Sequence, residues 1–158
     1  MNSRPGHLVI HSGGQTGIDR AALDAALAAG VPCGGWCPRG RRAEDGPLPA
    51  RYPLRETPSD DYAERTAWNV RDADATLVLT LGPVTGGTAL TVEVAERLGT
   101  PLRVVEVGAA DGVERTAEWV RAGGFGVLNV AGPRESTAPG VYGQARAFME
   151  RLLAVLGA

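Results

Sequence analysis

The stretch Leu8-Val9-Ile10-His11-Ser12-Gly13-Gly14-Gln15-Thr16-Gly17-Ile18-Asp19-Arg20 decides how this chain folds. It opens on a short apolar run, passes through a glycine loop, and enters an alanine-rich segment with helical spacing that ends at Gly30. A strand of about residues 7–11, a glycine turn and a helix of about 18–29 make the start of a βα unit. The free N–H groups of such a helix's first turn point at whatever lies beyond the strand end. The helix dipole favours negative charge there. Three glycines with Gln15 and Thr16 exceed what a tight turn requires. Gly13, Gly14, Gln15, Thr16 and Gly17 are therefore the first candidate ligand contacts.

The pattern recurs. Leu77-Val78-Leu79 reads as a buried strand running into Gly82-Pro83-Val84-Thr85-Gly86-Gly87-Thr88 and then into an amphipathic helix of about 88–98. A third loop, Ala131-Gly132-Pro133-Arg134-Glu135-Ser136, follows the strand-like run 127–130. If these strands share a parallel sheet, all three loops leave its carboxyl edge, where open α/β folds bind ligands. Thr85, Gly86, Gly87, Thr88, Arg134 and Ser136 join the candidate contacts on that ground.

The remaining elements fit the same scheme. A short strand is expected at 33–36, a helix at about 60–72 capped by Ser59 or Asp60, a strand at 102–107, and helices at about 112–122 and 141–156. The segment 37–58 is dense in proline, arginine and glycine and reads as a long ordered loop. Strands alternating with helices predict a single doubly wound α/β domain over residues 1–158. Its sheet is expected to be mostly parallel, with five or six strands and helices on both faces in a Rossmann-like three-layer sandwich.

With 158 residues, 44% of them hydrophobic, the chain can bury a sizeable core. A net charge of -2 gives no reason to expect nucleic acid, and no apolar run reaches the ~18 residues of a membrane span. A soluble cytoplasmic protein is the expectation. All 16 basic residues are arginine, which removes Schiff-base, P-loop and general-base lysines from consideration. Cys33 and Cys37, with no histidine nearby, fall short of a zinc set and read as free thiols. The dinucleotide fingerprint fails because Ser12 stands where its first glycine belongs and no acid ends the second strand.

Two further groups bear on binding. Arg39, Arg41 and Arg42 lie in a proline-stiffened loop, and Arg41 or Arg42 is expected to face the crevice and contact an anion, with Glu44 and Asp45 holding them. Arg65, Thr66 and Asn69 share one face of the second helix, and Asn69 could either bind ligand or cap the neighbouring loop. No nucleophile, base and orienter can be assembled from the sequence, so no catalytic residue is assigned.

Taken together, Ser12 to Arg20, Gly35-Trp36-Cys37-Pro38, Gly40 to Gly46, Tyr52-Pro53-Leu54 with Glu56-Thr57, Arg65-Thr66, Asn69-Val70, Thr85 to Thr88 and Leu128 to Ser136 resemble the putative molybdenum-cofactor carrier family. The resemblance spans about residues 8–156. It implies a Rossmann-like protein that binds molybdenum cofactor, a phosphorylated pterin, as a homo-oligomer (dimer or tetramer). It also places the chain beside the so-called lysine decarboxylases, which hydrolyse N-glycosidic bonds of nucleotides. Those hydrolases carry Gly-Gly-x-Gly-Thr-x-x-Glu. Here Gly86-Gly87-Thr88 lacks the inserted pair, and Glu93 comes five residues after Thr88. The resemblance therefore favours a carrier over an enzyme, with nucleoside monophosphate hydrolysis or nucleotide sensing as the alternatives.

Overall fold

Period-two alternation in three central strands sorts the side chains onto the two faces of one sheet. The computed structural model describes residues 7–158. In chain order it contains β1 (Val9–His11), α1 (Ile18–Ala29), β2 (Cys33–Gly34), β3 (Trp36–Cys37), β4 (Arg55–Glu56) and α2 (Tyr62–Arg71). There follow β5 (Ala75–Thr80), α3 (Gly86–Leu98), β6 (Leu102–Glu106), α4 (Gly112–Gly123), β7 (Val127–Ala131) and α5 (Val141–Leu156). Five strands make one parallel sheet in the order β2-β1-β7-β5-β6, and β3 pairs with β4 in a separate two-stranded parallel ribbon.

Ile10, Leu77, Leu79, Leu128 and Val130 enter one core with α1, α4 and α5. Burying each such side chain contributes roughly 1.5–3 kcal/mol. The intervening positions Thr76, Thr80 and Asn129 are buried yet polar, and by alternation they face the layer of α2 and α3. That second layer holds a smaller core of Val70, Val94 and Ala95. The result is a Rossmann-like three-layer α/β/α sandwich.

Three expectations about elements need correction. The strand expected at 33–36 is split at Gly35, whose φ of 124° turns the chain from the main sheet into the ribbon. A Cβ there would lie 2.6 Å from the Ser12 carbonyl oxygen, so only glycine fits. The second helix starts later than expected, with Asp61 as its cap, accepting from the Ala63 N–H at 3.0 Å.

The third correction concerns the loop 37–58, which contains β4 and is organised from within. Arg41, the one non-glycine residue with positive φ among those described, donates to the carbonyl oxygens of Leu48, Pro49, Tyr52 and Leu54. Its guanidinium gathers the loop around itself. The proline-rich segment lacks periodicity because side-chain-to-backbone bonds, rather than a ladder, satisfy its carbonyls.

A candidate anion-binding cleft

The strand order sets the site. The chain leaves β1 outward to β2 and leaves β5 outward to β6, while β7 lies between β1 and β5. The loops after β1, β7 and β5 thus flank a topological switch point at the carboxyl edge. A cleft of about 270 Å³ opens there. Its wall takes Gly13, Gln15 and Asp19 from the β1–α1 segment, Arg65, Thr66 and Asn69 from α2, Thr85 to Thr88 and Thr91 from the α3 segment, and Arg134, Ser136 and Thr137 beyond β7.

The two helix N-termini at this cleft are not equivalent. At α1 the amides are occupied from within: Gln15 N–H donates to Asp19 Oδ2 (3.2 Å), Thr16 N–H to Gln15 Oε1 (3.1 Å) and Ile18 N–H to the Pro133 carbonyl (3.3 Å). At α3 the capping Thr85 makes no side-chain cap, and the Gly86 and Gly87 amides have no acceptor among the described hydrogen bonds. A Cβ on either glycine would meet nothing within 4 Å. The open anion position is therefore the start of α3.

Electrostatics point the same way. Asp19 is buried, and burial pushes its carboxyl up to about 6, against the pull of Arg65 and the Gln15 amide. A ligand anion about 4 Å from its ionised form would meet repulsion of about 4 kcal/mol at an effective dielectric near 20. Arg65 is buried too. Burial lowers its pKa, with Asp19 opposing, yet a guanidinium stays charged. Its Nη1 donates to the Gly13 carbonyl at 2.7 Å and lies 3.9 Å from Asp19 Oδ2. Nη2 makes no hydrogen bond among those described, and Arg65 forms part of the cleft wall. Arg65, Arg134 and Arg42 all lie 5.0–5.4 Å from the Tyr62 ring, which gathers positive charge around it.

Of the residues singled out from sequence, Gly13, Gln15, Asn69, Thr85, Gly86, Gly87, Thr88, Arg134 and Ser136 line the cleft. Gly14, Thr16 and Gly17 do not. Gly14 packs under Leu48 and Leu54, and Gly17 against Pro133 and Glu135. The Thr16 hydroxyl donates to Glu44 and accepts from the Glu135 amide. These three fasten neighbouring loops.

The expectation for the arginine loop is also corrected. Arg41 is occupied by four carbonyls, and Arg42 donates to the Asp60 carbonyl and covers Tyr62. Neither lines the cleft. Glu44 and Asp45 hold Thr16 and Arg20 rather than Arg41 and Arg42. Asn69 caps the adjacent loop, its amide accepting from Trp36 N–H and donating to Trp36 O.

Asp19, Arg65, Asn129, Thr91 and Thr137 also line the cleft without having been singled out as ligand contacts. Asn129 carried a signal, as a polar residue in an apolar strand, and Arg65 shared a helical face with Asn69. Nothing local marks Thr91 or Thr137.

A model of the circularly permutated YpsA SLOG family matches residues 10–153. The chain belongs to that family. This SLOG chain is also 41% identical to a protein of known crystal structure, the "putative molybdenum carrier protein" of Syntrophus aciditrophicus SB. The match covers 94% of this chain and 96% of that one, with a TM-score of 0.88. No curated protein matches. Among the described residues of this SLOG protein, no group of three His, Cys, Asp or Glu could hold a metal ion, and no helix is long and apolar enough to cross a membrane.

Proposed function

We propose that the protein binds, and carries or stores, an anionic phosphorylated small molecule, and that this ligand is molybdenum cofactor. The observation that carries the reading is the unfilled start of α3, where the free Gly86 and Gly87 amides share one cleft with Arg134 and Arg65. A phosphate offers the oxygens those donors lack. Likeness to a protein named for molybdenum carriage supports the choice of ligand. The protein is proposed to work as a homo-oligomer; light scattering that returns the 16.4 kDa of one chain would overturn that part.

The test is gentle purification from a host that makes the cofactor, followed by molybdenum and oxidised-pterin measurement on the same fractions. Both should co-elute with the protein and fall together in R134M. The hydrolase alternative would need a carboxylate beside the sugar at α3, and Glu93 is exposed there, outside the cleft. Release of free base from AMP would reverse this assignment.

A further inference from the structure

The cleft has a second end whose chemistry is opposite to that of its phosphate end. Asp19 is the one acidic residue in the wall, and its carboxylate, which accepts from the Gln15 amide and has the Ser12 hydroxyl beside it, keeps further acceptor capacity. Beside it stands Gln15, which is 5% exposed. Its Oε1 accepts from two backbone amides, Thr16 N–H and Glu44 N–H at 2.8 Å, which fixes the orientation of the side-chain amide. Nε2 is therefore the donor left over, buried and without any acceptor. A buried donor with no partner is costly and uncommon in a wall of this kind. The wall thus sets a carboxylate and one unanswered donor side by side in the same β1–α1 segment.

We propose that Asp19 and Gln15 form a ring-recognition end that selects a 2-amino-4-oxopyrimidine edge, the edge shared by pterins and guanine. Such an edge presents an exocyclic N–H, a ring N–H and a carbonyl oxygen in a row. The two N–H groups donate in parallel to the Asp19 carboxylate, and the carbonyl accepts from Gln15 Nε2. Arg65, behind Asp19, supplies the charge that lets a carboxylate remain ionised there. Adenine, with an amino group in place of the carbonyl and no ring N–H beside it, mismatches both residues. This inference rests on the phosphorylated-ligand reading above and specifies which ring such a ligand carries.

The experiment is calorimetry on the intact protein with four probes: inorganic phosphate, GMP, IMP and neopterin monophosphate. GMP and IMP differ only in the 2-amino group. GMP should bind at least about tenfold tighter than IMP, because loss of the group leaves part of a buried carboxylate unpaired. Whichever of GMP and neopterin monophosphate binds tighter identifies the source of the edge. In D19N the GMP-to-IMP ratio should collapse toward one. Equal affinity for GMP and IMP in the unmodified protein overturns the proposal while leaving the phosphate reading intact, and it does so whether or not D19N folds. Binding of no phosphorylated probe overturns both.

Discussion

Burial pushes the Asp19 carboxyl up to about 6 from an ordinary 3.8, so between those two values the folded protein holds a proton there that the unfolded chain has released. A raised acid contributes stability that is fully present below the unfolded value and is lost as pH rises through the window from about 4 to 6. The charged groups facing Asp19 are Arg65 from α2 and Arg20 from α1, with Ser12 and Gln15 as neutral neighbours. Replacing Asp19 by Asn removes the titration. The melting temperature of D19N relative to the parent should therefore be higher at pH 7 than at pH 4; a difference independent of pH would contradict the burial argument. Arg41 makes the opposite kind of prediction. R41A strands four loop carbonyls and should cost about 3 kcal/mol, or about 10 °C in melting temperature, although the residue touches no ligand. Thermal melts decide this, and R41A should still bind phosphate at temperatures where it remains folded.

Among the elements, the glycine loops divide by what surrounds them. Gly14 has φ of 80°, and a Cβ would fall 2.6 Å from a Leu48 methyl, so G14V should fail to give soluble folded protein. Gly87 has open space, so G87V should fold with an unchanged melting temperature and lose phosphate affinity by tenfold or more, since its side chain fills the start of α3. Calorimetry and circular dichroism on both variants separate the two roles. Sequence alone makes the two loops look alike. Their spacing of glycine and threonine reports a strand-to-helix turn in both cases, and the helices α1 and α5 run where apolar periodicity places them. What the spacing does not report is which amides are already satisfied. That depends on Asp19, in the first turn of α1, folding back onto Gln15, and on Pro133 arriving from the loop after β7, more than a hundred residues away. The arginine run misled for a related reason. Charge density in a proline-rich segment reads as an outward-facing patch, whereas long side chains can turn inward and bind the carbonyls of their own loop.

At the scale of the whole molecule, the parallel sheet makes both ends of the described chain lie on the edge opposite the cleft. β1 begins there, and α5 returns there after β7 has delivered the Arg134 loop to the carboxyl edge. The turn between α3 and β6, at Gly99–Thr100, lies on that same far edge, and the hydrogen bonds both residues donate run locally back into α3. Element order along the chain and element placement in the sheet are therefore separable in this fold, as the family's description as circularly permutated also states. Joining Ala158 to the original start through a flexible linker and opening the chain between Gly99 and Thr100 keeps every strand neighbour and all three cleft loops uncut. The permutant should fold, with a melting temperature lowered by no more than about 10 °C, because one surface turn is exchanged for another. Its affinity for inorganic phosphate should stay within about threefold of the parent's, measured by calorimetry. Opening the chain instead between Gly86 and Gly87 should abolish phosphate binding even if the protein folds. That cut frees the first turn of α3 from the strand that aims its amides at the ligand. Equal binding by both permutants would place the anion elsewhere than the start of α3.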